Sequence, residues 1–103
     1  MMNQSNIMAQ FKKMQAEMAK AQEELANTVV EGSAAGGAVT VEMSCDQRVK
    51  RVRIGKEAVD PNDVETLEDV IAVAVNDALT KAGEASQKRM TSVTGGIRIP
   101  GLT

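Results

Sequence analysis

The stretch AVTVEMSCDQRVKRVRI, residues 38–54, decides the architecture. In its first half Val39, Val41 and Met43 alternate with Thr40, Glu42 and Ser44, the period-two pattern of a strand with one buried face. Cys45-Asp46-Gln47 reads as a tight turn. Arg48 to Ile54 is then a second strand, with Val52 and Ile54 facing inward and Arg51 and Arg53 outward. Val49 has the wrong parity for that arrangement, which predicts a bulge or an early strand start. Upstream, TVVEGS (28–33) forms a further short strand. Ala34-Ala35-Gly36-Gly37 is the loop between them, its glycines free to take positive φ. Connections this short give a three-stranded antiparallel meander.

A helix stands on either side of this meander. Ile7, Phe11, Met14, Met18, Ala21 and Leu25 follow one another at spacings of three and four, an apolar stripe along one helix face. No Gly or Pro interrupts Met1 to Val30, and helix formers fill the other positions. The expected helix, about Ser5 to Ala26, is roughly 33 Å long. After the strands, Asp60-Pro61 supplies a helix start, and Asp63, Glu65, Glu68 and Asp69 place negative charge at the positive end of the helix dipole. Val64, Leu67, Ile71, Ala74 and Ala78 continue the three-four spacing, and the pattern persists toward Ala82, Ala85 and Met90 past a possible interruption at Gly83. Thr94-Gly95-Gly96 is expected to stop this helix, leaving 95–103 as a flexible tail. The whole chain, 1–103, is expected to be a single α+β domain of order α-β-β-β-α. A three-stranded sheet cannot cover two long helices, so the excess apolar surface predicts a closed two-fold homodimer. Ile7, Phe11, Met14, Met18, Leu25, Leu67 and Ile71 are the residues expected in that packing.

The composition removes several classes of chemistry. There is no histidine, the commonest general base and metal ligand. Cys45 is alone, which rules out an internal disulfide or a cysteine-rich metal site and suits a reducing cytosol. No nucleophile–base pair, nucleotide loop or recurring metal-ligand spacing is present, so the expectation is a binding protein that needs no cofactor, metal or small-molecule substrate. No apolar run approaches a signal peptide or a membrane span, which predicts a cytoplasmic protein without a membrane partner. Phe11 is the only aromatic side chain, which weakens any reading that depends on stacking single-stranded bases.

The net charge of −2 conceals strong segregation. Residues 1–26 are neutral overall, 27–59 carry +1, 60–80 carry −6 and 81–103 carry +3. Two basic groups stand apart from the acidic segment. One is on the helices: Lys12, Lys13 and Lys20 in the first, and Lys81, Lys88 and Arg89 in the second. Their bland reading is ordinary solvated charge, with Lys20 pairing to Glu23 or Glu24 one turn on. The other is the strand group Arg48, Lys50, Arg51 and Arg53, extended by Lys56, with no acid among them. Its bland reading is protection of an exposed sheet edge.

The order of elements and four segments resemble the YbaB/EbfC family of nucleoid-associated proteins over nearly the whole chain. The segments are EGSAAGGAVTVEM (31–43), RVKRVRI (48–54), DPNDVETLEDVIAVAVNDALTKA (60–82) and TGGIRIPGL (94–102). The resemblance implies a tweezer-like homodimer, its helices projecting from a central sheet, that binds double-stranded DNA in the bacterial nucleoid with limited sequence preference. Nucleoid organisation and gene regulation would be its role, and the helical lysines would line the tweezers. Two departures stand out: Ser-Cys-Asp-Gln (44–47) replaces a Gly-containing hairpin turn, and Gly83 enters the last helix. From the residues alone the strand group is the denser site, whereas the resemblance favours the helices. The rival reading is an acidic dimeric protein-interaction or secretion-type chaperone module that holds another protein on its Met-rich helix and apolar sheet surface.

Overall fold

The structure, a computed structural model, describes residues 4–93. It comprises α1 (Gln4–Ala26), β1 (Val29–Ala34), β2 (Val39–Ser44), β3 (Arg48–Ile54) and α2 (Val64–Val93). The α-β-β-β-α order and the antiparallel sheet β1-β2-β3 are those expected from the sequence. The expected stop at Thr94-Gly95-Gly96 and the tail lie outside the described residues.

Hairpin chemistry sets the sheet. Ala35, Gly36 and Gly37 all adopt positive φ between β1 and β2, two of the three being glycines, for which this conformation carries no steric penalty. The β2–β3 turn places Gln47 at φ 69°, the left-handed position that favours glycine. In the β2–β3 ladder Glu42 faces Arg51, but Met43 faces Val49, so Lys50 is an extra residue on β3. That bulge resolves the parity of Val49. It returns the side chain to the face shared by Val52 and Ile54, opposite Met43, Val41 and Val39.

The end of α1 is tied to the same turn. Thr28 Oγ1 donates to the Glu24 carbonyl at 2.7 Å and Asn27 Nδ2 to the Glu23 carbonyl at 3.0 Å, satisfying groups the helix leaves open. The Cys45 N–H donates to the carbonyls of Leu25 (3.0 Å) and Thr28 (2.9 Å), so the β2–β3 turn acts as the cap of α1. Cys45 is buried there, and burial pushes its thiol pKa up.

The start of α2 differs from the sequence expectation. Asp60 does not cap the helix; its carboxylate accepts the N–H of Asn62 in a turn that includes Pro61. Asp63 takes the cap, receiving the Thr66 N–H at 3.3 Å and the Thr66 hydroxyl at 2.7 Å. Both aspartates bond to backbone within three residues, and the one immediately before the first periodic apolar residue, Val64, prevails. The helix then runs through Gly83 without interruption.

The core forms where α2 crosses β1 and β2. Val39, Val41 and Met43 pack against Ala74, Ala78 and Ala82, with Leu67, Ile71 and Val75 half-buried beside them. The alanines allow the helix backbone to approach the sheet closely. Gly32 on β1 completes this contact: a Cβ there would lie 2.3 Å from the Ala78 nitrogen and 2.4 Å from the Ala74 carbonyl oxygen. The space limit inferred from the sequence is also met. α1 does not lie on the sheet; it packs on the distal half of α2, and the chain extends 72 × 27 × 17 Å.

Candidate nucleic-acid interface

The helical bases fall into two sets. Arg89 Nε donates to Glu24 Oε2 at 2.8 Å and bolts α2 to α1. The Arg89 hydrogen bond, helped by the charges of Arg89 and Lys20, holds the Glu24 carboxyl below its ordinary pKa. Lys81 is also committed. Its Nζ donates to the Glu31 carbonyl of β1 at 2.9 Å and pairs with Asp77 at 3.2 Å. Lys12, Lys13, Lys20 and Lys88 are exposed, and none of them forms an ion pair within 4 Å among the described residues.

Lys20 and Lys88 lie where α1 meets α2, and Lys12 and Lys13 lie further along α1 toward its N-terminus. The acidic residues Asp60, Asp63, Glu65, Glu68 and Asp69 are exposed at the other end of α2. Between Val64 and Lys88 the helix rises about 35 Å, several screening lengths at physiological salt. Negative charge at one end therefore does little to weaken an anion's attraction to the other.

All seven residues of β3 are exposed. Arg51 stands across from Glu42 and Arg53 across from Thr40 on the outer face, while Arg48 lies 3.8 Å from Asp46. Lys50 occupies the bulge, and Lys56 follows in a short turn. The structure thus gathers the strand group on one open edge, apart from the helical group. On the inner face Val49, Val52 and Ile54 remain 51%, 44% and 41% exposed, because α2 covers β1 and β2 and stops short of β3.

The two edges of the sheet are treated differently, a feature the sequence reading missed. At β1 the outward Ser33 N–H donates to Asp77 Oδ2 at 2.9 Å, and the outward Glu31 carbonyl accepts from Lys81. The Ser33 N–H, then Lys81, lowers the Asp77 pKa. An acid and a base one helical turn apart thus clasp a strand edge. The only signal in the sequence was the four-residue spacing of Asp77 and Lys81, which reads equally well as an ordinary helix-surface pair.

The residues expected to pack between copies are also divided. Leu25 is already buried within the chain, near Ala85 and Met90 of α2. Leu67 and Ile71 are half-buried against the core. Met14 is half-buried, whereas Ile7, Phe11 and Met18 remain exposed. Among the described residues no group of three or more acidic, Cys or His side chains could hold a metal, and no helix is long and apolar enough to cross a membrane.

Comparison with known proteins agrees with this architecture. The crystal structure of an uncharacterised Helicobacter pylori protein superposes with a TM-score of 0.81, covering 92% of this chain and 100% of that one, at 19% identity. That likeness speaks for the fold. A nucleoid-associated protein of Chloroflexus aurantiacus is 48% identical over 97 residues, covering 94% of this chain and 97% of the relative. One from Alkaliphilus metalliredigens is 49% identical over 100 residues, covering 97% and 88%. The sequence model of the YbaB/EbfC DNA-binding family matches residues 1–97. With a family match over almost its full length and relatives near half identity, this chain belongs to the YbaB/EbfC DNA-binding family.

Proposed function

We propose that the protein is a non-catalytic, homodimeric binder of double-stranded DNA in the bacterial cytoplasm. It would bind with weak sequence preference and contribute to nucleoid organisation and gene regulation. The observation that carries this reading is a set of four lysines without an ion-pair partner among the described residues. They are Lys12, Lys13, Lys20 and Lys88, the last of them about 35 Å along α2 from its acidic start. Lys81 and Arg89 drop out of the phosphate-contacting set, because both are engaged inside the chain. Lysines acting as point charges on phosphates supply affinity through counterion release and carry no base code, which accounts for the weak preference.

Dimerisation is supported by β3. Its outer edge has no strand partner among the described residues, and its inward row Val49, Val52 and Ile54 is about half exposed. Covering the exposed half of these side chains contributes roughly 2–4 kcal/mol per protomer. The strand bases Arg48, Lys50, Arg51 and Arg53 then flank the seam, where they limit non-specific pairing of the edge.

Gel-shift titration of a duplex over a salt series tests the binding, and light scattering tests the dimer. Reversal of Lys12, Lys13 and Lys88 to Glu should abolish the shift and flatten the salt dependence, by about one unit of log–log slope for each phosphate no longer neutralised. Reversal of Arg51 and Arg53 should leave most of the shift. Full loss from the strand variant with retention in the helix variant would move the site to β3. No shift at low salt, or a monomer at micromolar concentration, would remove the corresponding half of the proposal.

A further inference from the structure

The two committed bases on α2 are held differently. Lys81 bonds to a backbone carbonyl as well as to Asp77, whereas the bond that holds Arg89 runs from its Nε to a side chain, the Glu24 carboxylate, at 2.8 Å. Both members of that pair stay open to water, the Arg89 side chain being 33% and the Glu24 side chain 46% exposed. Exposed pairs of this kind add little to stability, so the fold loses little when Arg89 changes partner. The surroundings suit an anion. An open cavity of about 360 Å³ in the α1–α2 seam is lined in part by Glu24, Lys88, Arg89 and Ser92. A second, of about 280 Å³, is lined in part by Glu17, Lys20, Arg89 and Ser92. Arg89 borders both cavities, and each also carries one of the lysines without an ion-pair partner among the described residues. A carboxylate and a backbone phosphate offer a guanidinium the same thing, two oxygens sharing a negative charge, and arginine grips either in the same fork.

We propose that Glu24 is a built-in competitor for the DNA backbone. It holds Arg89 in reserve, and an Arg89 released from it becomes a further phosphate contact beside Lys20 and Lys88. The proposal rests on the DNA-binding reading above and adds an autoinhibitory contact to it. The latch sets affinity below what the bases of the seam would otherwise give, and a change that neutralises Glu24 raises it.

A latch and a purely structural bolt predict opposite signs in a double-mutant cycle. Duplex binding is titrated by gel shift over a salt series, well below the melting temperature of each protein. Glu24→Gln removes one charge and keeps an oxygen that can still accept from Arg89, so the seam persists. Glu23→Gln, at the neighbouring exposed position, removes the same charge without touching an ion pair among the described residues. Glu24→Gln should bind at least about threefold tighter than Glu23→Gln, with a log–log salt slope steeper by about 0.9 for each Arg89 that engages. Arg89→Gln should then cost at least about threefold more affinity in the Glu24→Gln background than in the parent. A bolt gives the reverse, because a seam already loosened at Glu24 has less to lose at Arg89. A parent that binds, with Glu24→Gln no tighter than Glu23→Gln or with Arg89→Gln costing the same or less in the Glu24→Gln background, would overturn the latch and leave the DNA reading standing. No shift by any of these proteins at low salt would overturn both.

Discussion

Replacing Gly32 by Ala adds one methyl group where the structure has no room for it. The new Cβ would sit 2.3 Å from the Ala78 nitrogen, 2.4 Å from the Ala74 carbonyl oxygen and 2.8 Å from the Ala78 Cα. Unbonded heavy atoms settle at about 3.5–4.0 Å, so helix and strand must part by on the order of 1 Å. Every atom struck is backbone, so no rotamer change relieves the clash. The retreat also opens a gap under Ala74, Ala78 and Ala82, and a gap of that size forfeits roughly a quarter to a half of the dispersion energy across it. Overpacking at a well-filled site costs about 1–3 kcal/mol and more where nothing yields. We therefore expect about 3 kcal/mol, after allowing for the 0.4–1 kcal/mol or so that a less flexible unfolded chain returns. For a chain of this length that lowers Tm by roughly 12–24 °C. Circular dichroism at 222 nm is the assay, at one fixed protein concentration because an associating protein melts in a concentration-dependent way. Protein is quantified by peptide absorbance, since the chain has no Trp or Tyr. Adding Ala78→Gly should not rescue the variant, because the side chain it removes is not what is struck. A Tm within about 3 °C of the parent, or rescue by Ala78→Gly, would refute the close-approach argument.

Other substitutions probe other parts of the same reasoning. Gly83→Ala meets open space in mid-helix and should stabilise by about 0.5–1 kcal/mol, read as a higher urea midpoint. Gln47→Gly should relieve the left-handed strain in the β2–β3 turn and add about 0.5–1 kcal/mol after the entropy cost of glycine, measured in the same way. Asp77 has a folded pKa below its unfolded value, so the stability it contributes is complete above the unfolded value near 4 and is lost as pH falls through the folded one. Urea midpoints between pH 2 and 5 should accordingly fall less steeply with acid in Asp77→Asn than in the parent. Cys45, buried and with a raised pKa, should react with iodoacetamide at pH 8 far more slowly in the folded protein than in urea, by mass spectrometry.

Much of the fold was legible in the sequence because its elements carry strong periodicity. The 38–54 stretch gave both strands and the turn between them, and the misplaced parity of Val49 pointed to the bulge at Lys50. The stripe from Ile7 to Leu25 gave α1. The helix start was harder to read, because Asp60-Pro61 and Asp63 both carry capping chemistry within four residues and only geometry separates them. At the candidate interface the types and segments of the bases were visible, but their partners were not. Arg89 meets Glu24 across 65 positions of sequence, and Lys81 reaches Glu31 across 50. No local pattern encodes such pairings, so the sequence could not separate the bases without an ion-pair partner among the described residues from those that bolt helices together. The exposure of β3's inner face was hidden for a related reason. Alternation predicts which side chains point inward, whereas coverage depends on where α2 crosses the sheet, and Gly32 draws that helix over β1.

The clasp of Asp77 and Lys81 on β1 also bears on how far the protein can assemble. A sheet with two bare edges can accept a neighbour on each side, and each neighbour offers a fresh edge to the next, which is the geometry of a growing fibre. Here one edge has its outward Ser33 N–H and Glu31 carbonyl already satisfied by α2, whereas the β3 edge has no strand partner among the described residues. If β3 pairs with the β3 of a second copy, each outer margin of the joined sheet is a β1 edge on which the Ser33 N–H and the Glu31 carbonyl are already engaged. In such an assembly the clasp would limit further strand addition, and its removal is the kind of change that would turn a finite assembly into an open-ended one.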